Sequence, residues 1–472
     1  YQLTMAYGYW KTHVAERESV FHLYFRQNPF GGGYTIAAGL ARVIDLLDAF
    51  HFDRSDLDYL ATLRGADDEP LFDREFIDWL GELSFTCDLD AVPEGTVVFP
   101  QEPLLRIVGP VAQCQLLETL LLNIVNFETL IATKAARIVH AAGEARVLEF
   151  GLRRAQGLDG GLSASRAAYL GGAAGTSNVL AGKLYGIPVR GTHAHAWVML
   201  FEDEAEAFER YADALPNNCV FLVDTYDTLE GVERAIAVGK KLRERGHALL
   251  GVRLDSGDLA YLSRQARERL DAAGFTETQI VASNDLDERI ITSLNQQGAA
   301  IGVWGVGTRL ATAFDQPALG GVFKLSAIQD ADGTWQPRIK LSEQAVKTST
   351  PGKLQVRRYR DSDGLVADLL YDELRGLPES GQMIDPLDST RRRAYPCAEH
   401  TEDLLVPVYR RGERVYSPPA LETSRTRRAN QMTLLHTGLT RFEHPHQYPV
   451  GLERGASEAK TALILKMRGH DE

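Results

Sequence analysis

The 472-residue chain exceeds the size at which one hydrophobic core usually stops growing, so two or three domains are expected. Its 44% hydrophobic and 24% charged residues are those of an ordinary soluble globular protein, and no apolar run approaches the roughly 20 residues that span a bilayer, which argues against a membrane role. The net charge of −13 argues against general nucleic-acid binding, which needs a basic surface to displace counterions, but leaves room for small anionic substrates held by a local pocket.

Residues 1–130 are expected to form an α+β domain. Helical periodicity runs through residues 35–50 and 73–83, and residues 95–108 form an extended segment containing Pro100 and Pro103. Proline cannot donate to a ladder, so that segment is expected to be an edge strand or bulged ribbon.

Residues 131–345 read as an α/β barrel. Short apolar runs each precede a polar turn and usually a helix. Residues 147–150 precede Gly-Leu-Arg-Arg, 189–190 precede Gly-Thr-His-Ala-His, and 220–223 precede Asp-Thr-Tyr-Asp-Thr. Further on, 249–252 precede Arg-Leu-Asp-Ser-Gly-Asp, 280–282 precede Ser-Asn-Asp, and 301–304 precede Gly-Val-Gly-Thr. Asp227 with Glu230 and Asp285 with Glu288 have capping-box spacing, and a helix over residues 229–245 presents Leu229, Val232, Ile236 and Leu242 on one side. This alternation implies parallel strands with right-handed crossovers, in a barrel or a doubly wound sheet. A barrel is favoured because polar clusters follow successive strands, as when loops converge on one mouth.

Residues 346–472 are charged and proline-rich, with basic spots at 391–393 and 425–428, and are expected to form a C-terminal domain packed on the N-terminal one. The four cysteines, Cys87, Cys114, Cys219 and Cys397, lack CxxC or metal-ligand spacing and read as reduced, mostly buried thiols of a cytoplasmic protein. The chain begins at Tyr1 and not at methionine, which leaves room for an upstream segment, and no targeting signal is visible.

The polar clusters define the chemistry. Arg153 and Arg154 offer planar guanidinium forks suited to phosphate or carboxylate, and Phe150 adds a flat face for an aromatic ring. Residues 253–258 combine a cation, two carboxylates and a glycine, a set able to hold ribose hydroxyls and a pyrophosphate with Mg²⁺ between them; Asp258 is alternatively a helix N-cap. Gly305-Val-Gly-Thr308 resembles a phosphate cradle opening a helix. His193 and His195 admit three readings: metal ligands, an acid/base or phosphate-accepting histidine, or structural hydrogen bonding, and strict alternation puts both on one face. No other strand end supplies a third histidine, which counts against a zinc hydrolase, and Lys324 is the one candidate for Schiff-base chemistry.

Eight ordered segments together resemble the nicotinate phosphoribosyltransferases. They are Tyr1-Gln-Leu-Thr-Met, Asn28-Pro-Phe-Gly-Gly, residues 150–157 (Phe-Gly-Leu-Arg-Arg-Ala-Gln-Gly), 176–182 (Thr-Ser-Asn-Val-Leu-Ala-Gly), 191–197 (Gly-Thr-His-Ala-His-Ala-Trp), 253–258, 305–308 and 320–324 (Gly-Gly-Val-Phe-Lys). The resemblance runs to about residue 353. It implies a type II phosphoribosyltransferase fold, an irregular α/β barrel with an N-terminal α+β domain and a C-terminal region, in a homodimer whose active site lies between subunits. It further implies a cytoplasmic, ATP-coupled, Mg²⁺-dependent ligase that joins nicotinate to 5-phosphoribosyl 1-pyrophosphate as the first step of NAD salvage from nicotinic acid.

By the same resemblance, Phe150 and a neighbouring subunit's Tyr1 sandwich the pyridine ring, with Thr192 and Arg253 helping to bind nicotinate. Arg153, Ser283, Asn284, Gly305, Gly307 and Thr308 face the phosphoribosyl donor, and Asp255 meets the ribose. His195 is the histidine phosphorylated by ATP, and His193 lies where the family varies. Ser177 stands where the related nicotinamide enzymes carry an aspartate. A carboxylate there would repel the carboxylate of nicotinate, whereas a hydroxyl can donate to it.

Overall fold

In the computed structural model, which describes residues 1–378 and 381–469, the chain divides into two compact units. One comprises Tyr1–Thr129 with Ala318–Glu472, the other Leu130–Pro317. No helix among the described residues is long and apolar enough to cross a membrane.

The first unit is built on a seven-stranded antiparallel sheet. Its spatial order is Trp335–Pro337, Val322–Gln329, Glu18–Tyr24, Pro103–Pro110, Asp88–Ala91, Val406–Arg410 and Glu413–Arg414. Pro103–Pro110 is therefore an interior strand and not an edge, but the alternative expectation of a bulge is met: the register with Glu18–Tyr24 skips Leu104 between the Leu23–Leu105 and Tyr24–Pro103 pairs. Pro100 lies in the preceding turn and Pro103 opens the strand, so the ladder keeps its interior donors, and Leu104, Leu105 and Ile107 are buried. The helix expected over residues 35–50 is shorter, at Leu40–Asp48, because Thr35–Ile36 pairs with Val97–Val98. Gly39 turns the chain between them at φ +99°, with its N–H donated to the Glu94 carboxylate. The second expected helix is present as Arg74–Glu82.

A six-stranded sheet in this unit contains most of the strands after residue 350. Arg358 and Asp368 pair between its adjacent strands, both side chains fully buried. The basic run at 391–393 lines a cavity of about 980 Å³ together with Arg26, Phe99 and Tyr448. Within it, Arg391 is turned back to Asp388 and Arg392 to the Ser389 carbonyl. Cys87, Cys114 and Cys219 are buried as expected, Cys397 is exposed, and all four are free thiols.

The second unit holds a parallel six-stranded sheet: β1 (Arg146–Glu149), β2 (Gly175–Thr176), β3 (Cys219–Leu222), β4 (Leu249–Leu254), β5 (Gln279–Ala282) and β6 (Val303–Val306). The order is β2-β1-β6-β5-β4-β3, with helices in the crossovers. The sheet is an open barrel in which β2 and β3 are the end strands among the described residues. Five expected strands are present. The sixth, at 189–190, is a single bridge from Val189 to Thr176, and β2 takes the place beside β1. Gly-Thr carries no apolar run, so periodicity does not reveal it.

Helix Thr228–Glu244 buries Val232, Ile236 and Leu242, with Leu229 half-buried. Asp227 caps it by accepting the Leu229 and Glu230 N–H groups, while the Glu230 carboxylate reaches Arg234. The other expected box is displaced. Asp287, not Asp285, caps helix Glu288–Gln296, because Asn284 and Asp285 both take positive φ and lengthen the turn.

Candidate active site

The strand registers bring the carboxyl ends of the parallel sheet level. Glu149 pairs with Val306, Leu254 with Ala282 and Leu222 with Arg253, so the residues that follow share one edge. In an open α/β sheet this edge is where ligands bind.

Arg253, on β4, is the hub. Its Nε donates to Ser283 Oγ at 2.9 Å, Nη1 to Thr192 Oγ1 at 3.0 Å and Nη2 to Asp255 Oδ1 at 3.1 Å. Ser283 Oγ donates in turn to Asp255 Oδ1. The guanidinium carbon lies 5.9 Å from the Phe150 ring centroid. Arg253 and Asp255 keep 17% and 27% side-chain exposure, so a planar cation under an aromatic face stays open to a ligand.

Phe150 is placed by its neighbours. Its N–H donates to the Val306 carbonyl at 2.8 Å, and its ring lies against Gly305, where a Cβ would come within 2.7 Å of it. A Cβ on Gly151 would meet the Gly307 carbonyl oxygen at 2.8 Å. The glycines expected as a phosphate cradle thus also have a packing reason: they let the Phe150 turn approach β6. The helix after them, Thr308–Ala311, is a single turn.

The two histidines diverge, because residues 190–194 form no strand and alternation does not apply. His193 is 7% exposed among Phe208, Tyr211 and Phe221, and its Nε2 accepts the Leu222 N–H at 3.2 Å. Burial lowers its pKa to about 4, so the ring is neutral and pins the 191–195 loop to β3. His195 is 40% exposed at the start of helix His195–Met199. Its Nδ1 lies 3.1 Å from Thr225 Oγ1, and its Nε2 stands 4.0 Å from Asp224 Oδ1 and 3.9 Å from Asp255 Oδ2. Behind it Trp197 Nε1 donates to the Ala207 carbonyl, anchoring the loop's far end.

Sequence reasoning did not single out Asp224. Its side chain is 1% exposed; Oδ2 accepts the Asp255 N–H and the Ser256 hydroxyl, while Oδ1 is buried without a hydrogen-bond partner among the described residues. Its position directly after an apolar strand was the available signal. Among the described residues no group of three His, Cys, Asp or Glu side chains is arranged to hold a metal alone. The buried, unsatisfied Asp224 oxygen, close to Asp255, fits a cation whose remaining oxygens come from a ligand.

The structure thus gathers Phe150, Thr192, His195, Arg253, Asp255 and Ser283. Ser177 follows β2, next to β1, and its hydroxyl makes no hydrogen bond among the described residues. Arg153, Arg154 and Asn284 are exposed and Thr308 half-buried, and none bonds to the Arg253 cluster. Asp258 is the N-cap of helix Leu259–Ala272. Tyr1, 68% exposed, caps the first helix of the other unit.

Three family models match: the nicotinate phosphoribosyltransferase N-terminal domain over residues 1–126, the nicotinate phosphoribosyltransferase family over 145–361, and its C-terminal domain over 353–460. The nicotinate phosphoribosyltransferase of Bacillus subtilis is 43% identical, with 100% of this chain and 95% of that protein aligned. A crystal structure of human nicotinic acid phosphoribosyltransferase superposes with a TM-score of 0.86 at 34% identity, covering 98% of this chain and 99% of that one. A nicotinate-nucleotide pyrophosphorylase structure from Pyrococcus furiosus shares the fold, with a TM-score of 0.69 at 22% identity over 92% and 94% of the two chains. The chain belongs to the nicotinate phosphoribosyltransferase family.

Proposed function

We propose that this enzyme joins nicotinate to 5-phosphoribosyl 1-pyrophosphate, giving nicotinate mononucleotide and pyrophosphate for NAD biosynthesis, and couples the transfer to ATP hydrolysis. The observation that carries this reading is Arg253, a cation beneath the Phe150 ring that is fixed by Thr192, Ser283 and Asp255. That geometry suits a flat ring bearing a carboxylate, and Ser177 offers a further hydroxyl donor.

The pyridine nitrogen attacks C1 of the ribose as the C1–oxygen bond breaks, and pyrophosphate leaves with the bonding electrons. The transition state is oxocarbenium-like, and the protein contributes positioning and electrostatics. Asp255 lies beside the ribose; Arg153, Ser283, Asn284 and Thr308, with the turn at Gly305 and Gly307, meet the phosphates. Asp224 and Asp255 would hold Mg²⁺ together with pyrophosphate oxygens, and Mg²⁺ bound there would neutralise the leaving group.

His195 is the phosphate carrier. Its Nε2, free of hydrogen bonds among the described residues, takes the γ-phosphoryl group of ATP, releasing ADP; water then cleaves the nitrogen–phosphorus bond to give phosphate. A homodimer that lends a partner's Tyr1 to the pyridine ring fits the exposure of Tyr1 and of Val179, Leu180 and Leu184. Unpaired thiols fit a reducing cytoplasm.

The test is consumption of the phosphoribosyl donor with nicotinate, nicotinamide or quinolinate, each with and without ATP. Nicotinate alone should support turnover, and ATP should stimulate it. Equal use of nicotinamide or quinolinate overturns the assignment.

A further inference from the structure

Glu149, the last residue of β1, is 1% exposed and lies outside the residues assigned above. Its Oε1 accepts the Gly151 N–H. Its Oε2 accepts the Ser165 hydroxyl at 2.9 Å and the Thr176 hydroxyl at 2.6 Å, and its backbone carbonyl accepts the Ser177 N–H at 3.0 Å. Thr176 Oγ1 accepts the Asn178 N–H at 3.0 Å, and Asn178 Oδ1 caps helix Val179–Tyr185 through the Ala181 N–H. No cation pairs with Glu149 among the described residues.

A buried carboxylate is costly unless its lone pairs are filled, and here three donors fill them. Gly151 belongs to the turn carrying Phe150, Thr176 directly precedes Ser177, and Ser165 lies on helix Gly157–Leu170 between them in sequence. We infer that Glu149 is the positioning residue of the pyridine pocket, clamping the Phe150 and Ser177 turns at a fixed separation so that ring and carboxylate are read together. This rests on the reading of Phe150 and Ser177 as nicotinate contacts.

Glutamine at 149 keeps an acceptor for the Gly151 N–H. Ser165 can then donate to the Gly161 carbonyl, already 2.9 Å from its hydroxyl, and accept from the amide. Thr176 loses the carboxylate and keeps only the longer bond to Ser165 Oγ, at 3.3 Å, for its hydroxyl hydrogen, while its oxygen still receives Asn178. The two turns are thus loosened unequally.

The experiment measures kcat and the KM of each substrate for Glu149→Ala, Glu149→Gln and Thr176→Val, with thermal unfolding to confirm folding. Glu149→Ala should raise the nicotinate KM about tenfold, the scale of a sub-ångström misplacement, with the donor KM changed less than about threefold. Glu149→Gln and Thr176→Val should each give a smaller rise, and their double variant should equal neither the sum nor either single effect. An unchanged nicotinate KM in folded variants, or equal rises for both substrates, overturns the clamp. If Glu149→Ala does not fold, the glutamine and valine variants decide alone. Phe150→Leu and Ser177→Ala separate the two readings. If these also leave nicotinate KM unchanged, the pocket assignment fails. If they raise it while the Glu149 and Thr176 variants do not, only the clamp fails.

Discussion

Each unit contains an arginine–aspartate pair, and the two are built oppositely. In the first unit Arg358 spends its guanidinium on Asp368, the Val97 carbonyl and Gln431, while Tyr448 donates to Asp368, and both charges are fully buried. In the second unit Arg253 and Asp255 are bonded on one side and exposed on the other. The first pair is a closed structural joint, since a buried charge must be fully satisfied. The second has its geometry fixed by protein and its remaining valence left for a ligand, the condition for preorganised electrostatic binding.

The largest effect comes from breaking both. Asp368→Ala removes the carboxylate that hydrogen-bonds the buried Arg358, leaving the neighbouring Glu102 to oppose its charge, and should cost about 3–5 kcal/mol of stability in denaturant unfolding. Arg253→Ala should change stability by under about 1.5 kcal/mol yet lower kcat/KM for nicotinate about 10²- to 10³-fold. If both variants lose mainly stability, the contrast between the pairs fails.

The histidines extend the comparison. His22, fully buried in the first unit, accepts the Leu354 N–H and has its pKa pushed down to about 3 by burial, as His193 is to about 4. A lowered histidine pKa means the unfolded chain binds the proton first. The stabilisation from His193 is therefore complete above pH 6.5 and lost as pH falls toward about 4, by roughly 3 kcal/mol. A His193→Gln variant, which retains an acceptor for Leu222 but does not titrate, should unfold with a shallower pH slope in that window. An identical slope removes His193 as the anchor.

His195 is half-buried and faces two carboxylates at about 4 Å. Replacing it with alanine should abolish ATP stimulation in the donor-consumption assay while ATP-independent transfer persists. Undiminished stimulation removes the phosphohistidine role. The smallest effect is steric: Gly305→Ala places a Cβ 2.7 Å from the Phe150 ring and should raise the nicotinate KM about tenfold while leaving the His195 readout intact.

Much of the second unit was legible because parallel strands buried on both faces read as apolar runs, and polar residues after such runs must lie at one sheet edge. That logic found Phe150, Arg253, Asp255 and Ser283. It passed over Asp224, whose turn resembles any solvated loop until its carboxylate meets the backbone of Asp255, just past the end of β4. For Pro103–Pro110 it allowed an edge or a bulge, and only the bulge is present, since a proline's cost depends on its place along the strand, which composition does not record.

By itself the sequence determined the strand-to-helix alternation, the residue types at each strand end and the family resemblance, because these rest on local periodicity and on short motifs. The tertiary structure decided which of those residues cooperate. The HxH spacing is the clearest case: one histidine turns inward to a backbone N–H and the other outward to Asp224 and Asp255, because the loop is pinned by burial of His193 and not by strand alternation. Glu149 is the same kind of case, an unremarked acid at a strand end whose importance appears only when three donors, up to 27 residues away, converge on it.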